Sequence, residues 1–152
     1  MEGRRAPRSD QLRGTSTLDK LQSLANRVPL RPRVAGPLSV LLILSHAPFD
    51  GDSTWNALRL AGTLCERRVP VRIFVMNDAI DVVRQGAVPE GAEFDLQAML
   101  RDLLPRGARI KICTTCINRC GIGQGEVIPE AIMATMGDLA AWVVESDRVL
   151  VF

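Results

Sequence analysis

Three of the four cysteines in this 152-residue chain lie within eight positions of one another, at Cys113, Cys116 and Cys120. A deprotonated thiol is a strong nucleophile and a soft metal ligand, so clustered thiols point to redox chemistry, sulfur transfer or metal binding. An apolar run precedes these cysteines, and three glycines occur in the five residues that follow them. The thiols therefore lie where a predicted strand gives way to a loop, which is a usual position for catalytic residues.

A metal or iron–sulfur site formed by Cys113, Cys116 and Cys120 is the first hypothesis. Tetrahedral zinc and iron–sulfur clusters generally take four ligands, and this spacing supplies three. The spare candidates are Cys65 and the sole histidine, His46. Cys65 falls on the apolar face of a predicted helix, where a free thiol packs as a small hydrophobe. The metal hypothesis therefore lacks an obvious fourth ligand.

A redox dithiol formed by Cys113 and Cys116 is the second hypothesis. The spacing matches thioredoxin-type motifs, but those begin at a helix N-terminus, whereas here the first cysteine belongs to a predicted strand. The third hypothesis is a persulfide carrier, in which a thiolate attacks a sulfane sulfur and passes it on without a bound cofactor. Such a thiolate needs exposure and a depressed pKa, which helix amides and the cations Lys111 and Arg119 are expected to supply.

Alternating strand and helix patterns surround the cysteine stretch. Short apolar runs predict five strands, at residues 38–44, 69–76, 109–113, 131–136 and 148–152. Apolar residues at helical spacing predict helices that begin at Asp52 or Ser53, at Asp95 and at residues 137–138. Regular alternation of strand and helix is typical of a parallel sheet covered on both faces. The sequence therefore predicts a single three-layer α/β domain.

His46 follows the first predicted strand, while Cys113 ends the third. Because the carboxyl ends of parallel strands meet at one edge of the sheet, His46 is expected near Cys113. A histidine in that position lowers a thiol's pKa or shuttles a proton, which makes His46 a candidate catalytic residue beside Cys113 and Cys116. The alternative is a structural hydrogen bond within the loop.

Residues 1–37 differ in composition from the rest of the chain. They contain eight basic and three acidic residues, a net charge of +5, and we predict a mostly disordered basic extension there. Residues 38–152 carry a net charge of −3, which argues against direct nucleic-acid binding. No run approaches the roughly 20 apolar residues of a membrane span, and the start lacks a signal-peptide core. We therefore expect a cytoplasmic protein without a membrane partner.

The cysteine stretch and several flanking segments resemble the DsrE/TusD family of small sulfur-transfer proteins. The similar segments are residues 110–113 with Arg119 and residues 121–122, then residues 93–96, 136–140 and 146–152. Their order and spacing make residues 38–152 similar to a DsrE-like domain. The resemblance implies that Cys113 carries a persulfide and that Cys116 resolves or shares the sulfur, while Cys120 has no assigned role.

The same resemblance implies a five-stranded parallel sheet of the flavodoxin-like, DsrE-like class. It also implies a homo-oligomer, a trimer or hexamer, or a hetero-oligomer with paralogues, acting with sulfur donor and acceptor proteins and without a cofactor. The leading hypothesis is a sulfurtransferase of a sulfur relay. The alternative is a metal-binding or non-catalytic accessory subunit that uses Cys113, Cys116 and Cys120.

Overall fold

Five parallel strands form the central sheet of the computed structural model, which describes residues 38–152 together with Thr17 and Gly36. The strands are β1 (Val40–Leu44), β2 (Val71–Val75), β3 (Arg109–Cys113), β4 (Ile132–Ala134) and β5 (Arg148–Val151). Their spatial order is β4-β3-β2-β1-β5. The predicted disorder of residues 1–37 lies outside the described residues.

Four α-helices and two short 3₁₀ helices connect the strands. The α-helices are α1 (Ser53–Glu66), α2 (Leu96–Asp102), α3 (Thr114–Arg119) and α4 (Met136–Glu145), and the 3₁₀ helices are Asn77–Val82 and Gln124–Glu126. The first 3₁₀ helix, Asn77–Val82, begins two residues after the end of β2. None of the helices within residues 38–152 has the length and apolar character needed to cross a lipid bilayer.

Apolar packing on both faces of the sheet explains why the central strands are nearly continuous apolar runs. On one face, Leu42 of β1 and Ile73 of β2 pack in a cluster with residues of α1 and α2. On the other face, Leu41 and Phe74 pack with Trp142 of α4. Strands buried on both sides favour apolar residues at every position. The predicted three-layer α/β architecture is confirmed.

The strand order brings the ends of β1, β2 and β3 together. β1 pairs with β2, and β2 pairs with β3, all in parallel. The chain adds β4 beyond β3 and only then crosses to the far side of β1 to form β5. In the flavodoxin order the change of direction comes earlier, at the second crossover. The residues that follow β1, β2 and β3 therefore lie next to one another at the edge formed by the carboxyl ends of the strands.

Candidate active site

Cys113 occupies two structural positions at once. It is the last residue of β3 and the N-cap of α3, where its Sγ accepts a hydrogen bond from the backbone N–H of Cys116 at 3.3 Å. A cap side chain satisfies an amide group that the first helical turn leaves unpaired. The objection that the first cysteine belongs to a strand rather than to a helix start is therefore wrong, because the two coincide here.

The sulfurs of Cys113 and Cys116 lie 2.9 Å apart and share a hydrogen bond. A disulfide bond is about 2.05 Å long, so these atoms need only a small approach to become bonded. The three thiols differ in exposure: Cys113 is 5% exposed, Cys116 is half-buried and Cys120 is exposed. The structure thus brings the predicted pair together and orders the thiols from the interior to the surface.

Burial raises the pKa of the Cys113 thiol above the ordinary thiol value of 9.0, and contact with the Cys116 sulfur raises it further. Backbone hydrogen bonds from Cys116 and Thr115 oppose this shift because they favour the thiolate. They do not outweigh burial. The expectation of a depressed pKa is therefore wrong for Cys113, which keeps its proton at neutral pH.

A cavity of about 560 Å³, which we call the thiol cavity, opens at the edge of the sheet beside the dithiol. Its lining residues come from the segments that follow β1, β2 and β3: Ser45 and His46, then Asn77 and Asp78, then Cys116, Arg119 and Cys120. These three segments converge because their strands are neighbours in the sheet. Cys116 therefore connects the cavity to the buried Cys113.

His46 lies at the sheet edge where the sequence places it. Its Nδ1 lies 3.3 Å from the hydroxyl oxygen of Ser45, and its exposed ring lines the thiol cavity together with Cys116. The structure therefore brings His46 to the cavity-facing thiol, Cys116, while Cys113 is not a lining residue of that cavity. Both the proton-exchange interpretation and the structural interpretation are compatible with this position.

The two cations expected near the thiols have different positions. Arg119 lies at the end of α3 and lines the thiol cavity. Lys111 instead forms an ion pair with Asp138 at 2.8 Å, with its ammonium 4.7 Å from the centre of the Trp142 ring. Lys111 therefore binds two residues of α4 and helps to pack that helix on the sheet. Of the two, only Arg119 is a candidate for binding an anion in the cavity.

Asn77 is a site residue that sequence reasoning missed. Its backbone N–H donates to Cys116 Sγ at 3.3 Å, and its side-chain oxygen lies 3.9 Å from the same sulfur. Asn77 has a φ of 51°, in the left-handed region that asparagine tolerates better than most residues. An asparagine directly after a strand that neighbours β3 was the available signal.

The metal hypothesis gains no support from the geometry. Within residues 38–152, no three His, Cys, Asp or Glu side chains form a group that could hold a metal ion. Cys65 lies on α1, half-buried against the core, and burial raises the pKa of its thiol. It therefore behaves as the packing residue that its helical spacing predicts.

A second cavity of about 400 Å³ lies beside the start of α1. Its lining includes Trp55 and Phe94, whose rings stack with their centres 4.9 Å apart, and the carboxylates of Asp52, Glu90 and Glu93. No cysteine or histidine lines this cavity in the described part of the chain. Of these two cavities, only the thiol cavity has cysteines in its lining.

Comparison with models of known protein families identifies the family of this chain. Residues 39–152, three quarters of the chain, match the model of the DsrE/DsrF-like family. The chain belongs to the DsrE/DsrF-like family. The resemblance carried by the cysteine stretch and its flanking segments is thereby confirmed.

Individual relatives agree with this assignment. Protein YchN of Escherichia coli is 32% identical over 115 residues, which cover 74% of this chain and 97% of YchN. An uncharacterized protein of Methanopyrus kandleri is 31% identical over 113 residues, which cover 74% of this chain and 93% of that protein. Each of these relatives thus covers about the same share of this chain as the family model does.

Solved structures show the same architecture. The crystal structure of YchN matches with a TM-score of 0.70 at 32% identity and covers 76% of this chain and 99% of YchN. A protein of unknown function from Methanobacterium thermoautotrophicum matches with a TM-score of 0.56, covering 77% of this chain and 100% of that one. Since the second pair is 13% identical, that match shows the fold alone. The predicted DsrE-like class is confirmed.

Proposed function

We propose that this chain is a sulfur-relay protein that accepts a sulfane sulfur as a persulfide on the Cys113/Cys116 pair and transfers it to a partner protein. The observation that carries the proposal is the 2.9 Å separation of these sulfurs at the edge of a cavity lined by Cys116. Membership of a family associated with sulfur relay supports it. On this proposal the protein is a sulfurtransferase that works without a resident cofactor.

Exposure divides the roles of the two thiols in this proposal. Cys116 faces the thiol cavity, whereas Cys113 is 5% exposed and keeps its proton because burial raises its pKa. The Cys116 thiolate attacks the outer sulfur of a donor persulfide, the donor's S–S bond breaks, and the donor leaves as a thiolate. That Cys113 carries the sulfur stays a prediction. For Cys113 to carry it, the outer sulfur must pass from Cys116 to the more deeply buried Cys113.

Hydrogen-bond donors around Cys116 suit an anionic sulfur. The backbone N–H of Asn77 already donates to Cys116 Sγ at 3.3 Å, and the guanidinium of Arg119 lines the same cavity. Donors and cations of this kind are able to bind the negative charge of a persulfide in the cavity. His46 lines the same cavity, and in this proposal its imidazole exchanges protons with the cavity's contents.

The proposal requires a reducing compartment, such as the cytoplasm, because the donor must meet a free thiol. It also requires a donor and an acceptor protein whose cysteines reach into the thiol cavity. Two of the residues that line that cavity, His46 and Cys120, are exposed and therefore accessible to a partner's side chain.

We further propose that the chain self-associates through β5 and α4. β5 is an edge strand whose apolar residues are exposed, with Val151 at 65%, and the neighbouring helix α4 exposes Val144 at 72%. An edge strand offers unpaired backbone groups to another chain, and exposed apolar patches mark protein–protein contacts. A second copy of this chain is the proposed partner, in line with the homo-oligomer that the family resemblance implies.

Intact-mass measurement after sulfur loading tests the sulfur-carrier function. Reduced protein is incubated briefly with a small-molecule persulfide donor, and its mass is measured before and after treatment with a reductant. Immediately after loading, we expect a gain of one sulfur atom that the reductant removes. Cys116→Ser is expected to prevent loading, whereas the matched control Cys120→Ser is expected to load as the wild type does.

The outcome also separates the alternatives. Unchanged loading in a Cys113→Ser/Cys116→Ser double variant would exclude the pair as the carrier. Loading of Cys116→Ser on Cys113 would favour the division of roles that the family resemblance implies. Stoichiometric metal in protein purified without added ions, lost on replacing Cys116 or Cys120, would support the metal-binding alternative instead.

A further inference from the structure

We propose that Cys113 is a resolving thiol that releases the bound sulfur as sulfide, by forming a disulfide with Cys116 when no acceptor protein takes the sulfur. This inference rests on the proposed function, since it needs a persulfide on Cys116. It adds a second activity to the relay, in which the protein reduces a sulfane sulfur to sulfide.

The geometry favours attack by Cys113 on the inner sulfur of a Cys116 persulfide. That inner sulfur is Cys116 Sγ, which lies 2.9 Å from Cys113 Sγ. Cys116 lines the thiol cavity, whereas Cys113 contacts Cys116 from the buried cluster formed with Phe74 and Trp142. An outer sulfur therefore extends into the cavity, away from Cys113. Thiol–disulfide exchange needs the attacking and leaving sulfurs on opposite sides of the central sulfur, and this arrangement supplies that.

Backbone hydrogen bonds hold the sulfurs of Cys113 and Cys116 close to each other. Cys113 Sγ accepts the backbone N–H of Cys116 as the cap of α3, while Cys116 Sγ accepts the backbone N–H of Asn77. Each sulfur is thus held by a backbone amide rather than by a mobile side chain. The separation of 2.9 Å is close enough to a disulfide length of about 2.05 Å that the bond forms without unfolding the strand end.

The reaction balances without an external oxidant. The Cys116 persulfide and the Cys113 thiol give a Cys113–Cys116 disulfide and hydrogen sulfide. The bond between the two cysteine sulfurs forms as the bond to the outer sulfur breaks. The outer sulfur gains the electron pair and is reduced to sulfide, while the Cys113 sulfur is oxidised from thiol to disulfide.

The proton of Cys113 has a place in the same step. Because burial raises the pKa of this thiol, Cys113 carries its proton until the reaction and yields it to the departing sulfide. The sulfide leaves into the thiol cavity, where Arg119 provides a positive charge. A raised pKa slows the attack of Cys113 on the Cys116 persulfide. A docked acceptor protein therefore has time to attack the outer sulfur before Cys113 releases it as sulfide.

Turnover of the release activity needs a reductant that reopens the disulfide. A dithiol, either a small molecule or a dithiol protein, exchanges with the Cys113–Cys116 bond and returns both thiols. Until that happens, Cys116 is not available to accept sulfur. The redox state of the dithiol pool therefore decides how often the protein turns over.

The experiment follows sulfide and mass after a single loading. Full-length reduced protein is loaded with a small-molecule persulfide donor, the donor is removed by rapid gel filtration, and no reductant is added. For the wild type we expect about one equivalent of sulfide and a peptide map with a Cys113–Cys116 disulfide. For Cys113→Ser we expect the gained sulfur to persist on Cys116, with sulfide release at least tenfold slower.

Control variants separate failure of this inference from failure of the proposed function. If neither the wild type nor Cys113→Ser gains sulfur, the proposed function fails. If both gain sulfur and both keep it, or both release sulfide at the same rate, the resolving role of Cys113 is overturned while the carrier function stands. Cys120→Ser must release sulfide as the wild type does, since a disulfide from Cys116 to Cys120 would also overturn the assignment.

Discussion

The backbone amide of Asn77 donates a hydrogen bond to the sulfur of Cys116 across 3.3 Å. The two residues are 39 positions apart in sequence, and they meet because Asn77 follows β2 while Cys116 follows β3. Asn77 adopts a left-handed backbone conformation with a φ of 51°. The backbone turn after β2 thus contacts the sulfur of Cys116, which follows the neighbouring strand β3.

Substitutions at Asn77 test the role of this turn. Glycine tolerates a positive φ and retains the amide, whereas alanine is strained there, so we expect Asn77→Ala to unfold with about 1 kcal/mol less free energy than Asn77→Gly. Urea denaturation measures the difference. Asn77→Gly should also load sulfur at Cys116 close to the wild-type rate. Equal stability of the two variants would show that the left-handed turn is not retained in solution.

Limited alkylation of the native protein should modify Cys120 first and Cys113 last. Cys120 is exposed, Cys116 is half-buried and Cys113 is 5% exposed. Because burial raises the pKa of Cys113 above the ordinary thiol value of 9.0, its alkylation rate should still be rising with pH at pH 9.0, where an ordinary thiol approaches its plateau. Peptide mapping after iodoacetamide treatment across a pH series measures this. Modification of Cys113 as early as Cys120 would contradict the buried position.

Replacing Asp138 with asparagine should remove part of the acid sensitivity of the fold. The hydrogen bond from Lys111, followed by those from Thr135, holds the pKa of the Asp138 carboxyl well below its ordinary value of 3.8. A depressed folded-state pKa means that this contribution is complete above about pH 4 and is lost as the pH falls through the folded-state value.

Unfolding experiments between about pH 2 and pH 6 measure this contribution. The wild type should lose more stability than Asp138→Asn as the pH falls across that range. Glu90→Gln is the matched control, because Glu90 is an exposed carboxylate away from α4. Parallel acid-unfolding curves for the wild type and Asp138→Asn would contradict the prediction.

Gly121 should resist replacement although an added side chain would meet no neighbouring atom. Its φ is 67°, and it follows the C-cap of α3, the short helix that carries Cys116. A Cβ at this position meets nothing within 4 Å, so the cost of Gly121→Ala comes from backbone strain alone, about 1 kcal/mol. Gly125→Ala, at an open position without a positive φ, is the matched control and should be nearly neutral.

Charges introduced on α4 or β5 should weaken self-association. Val144 and Val151 are 72% and 65% exposed, so Val144→Lys and Val151→Lys are expected to leave the monomer folded. Both substitutions should shift the protein toward monomer in analytical ultracentrifugation, because a lysine in an apolar interface is costly to desolvate. Ala98→Lys, on the exposed side of α2, is the control. An unchanged oligomeric state in both variants would exclude this surface.

Local signals in the sequence predicted most of the elements. The strand at residues 109–113 has the predicted bounds, and Asp95 caps α2 through a 2.8 Å hydrogen bond from the amide of Ala98. The last helix begins earlier than predicted because Thr135 and Asp138 form a reciprocal capping box. That Thr-x-x-Asp pattern is itself a local signal in the sequence.

The sequence by itself determined the alternating strands and helices, the family and the close spacing of the cysteines, because each of these depends on neighbouring residues. Only the tertiary structure decided that Cys113 is buried with a raised pKa, that Lys111 pairs with Asp138, and that Asn77 holds Cys116. These relationships depend on which strands are neighbours and which face α4 covers. The local sequence at each of these residues does not specify which distant residue it will contact.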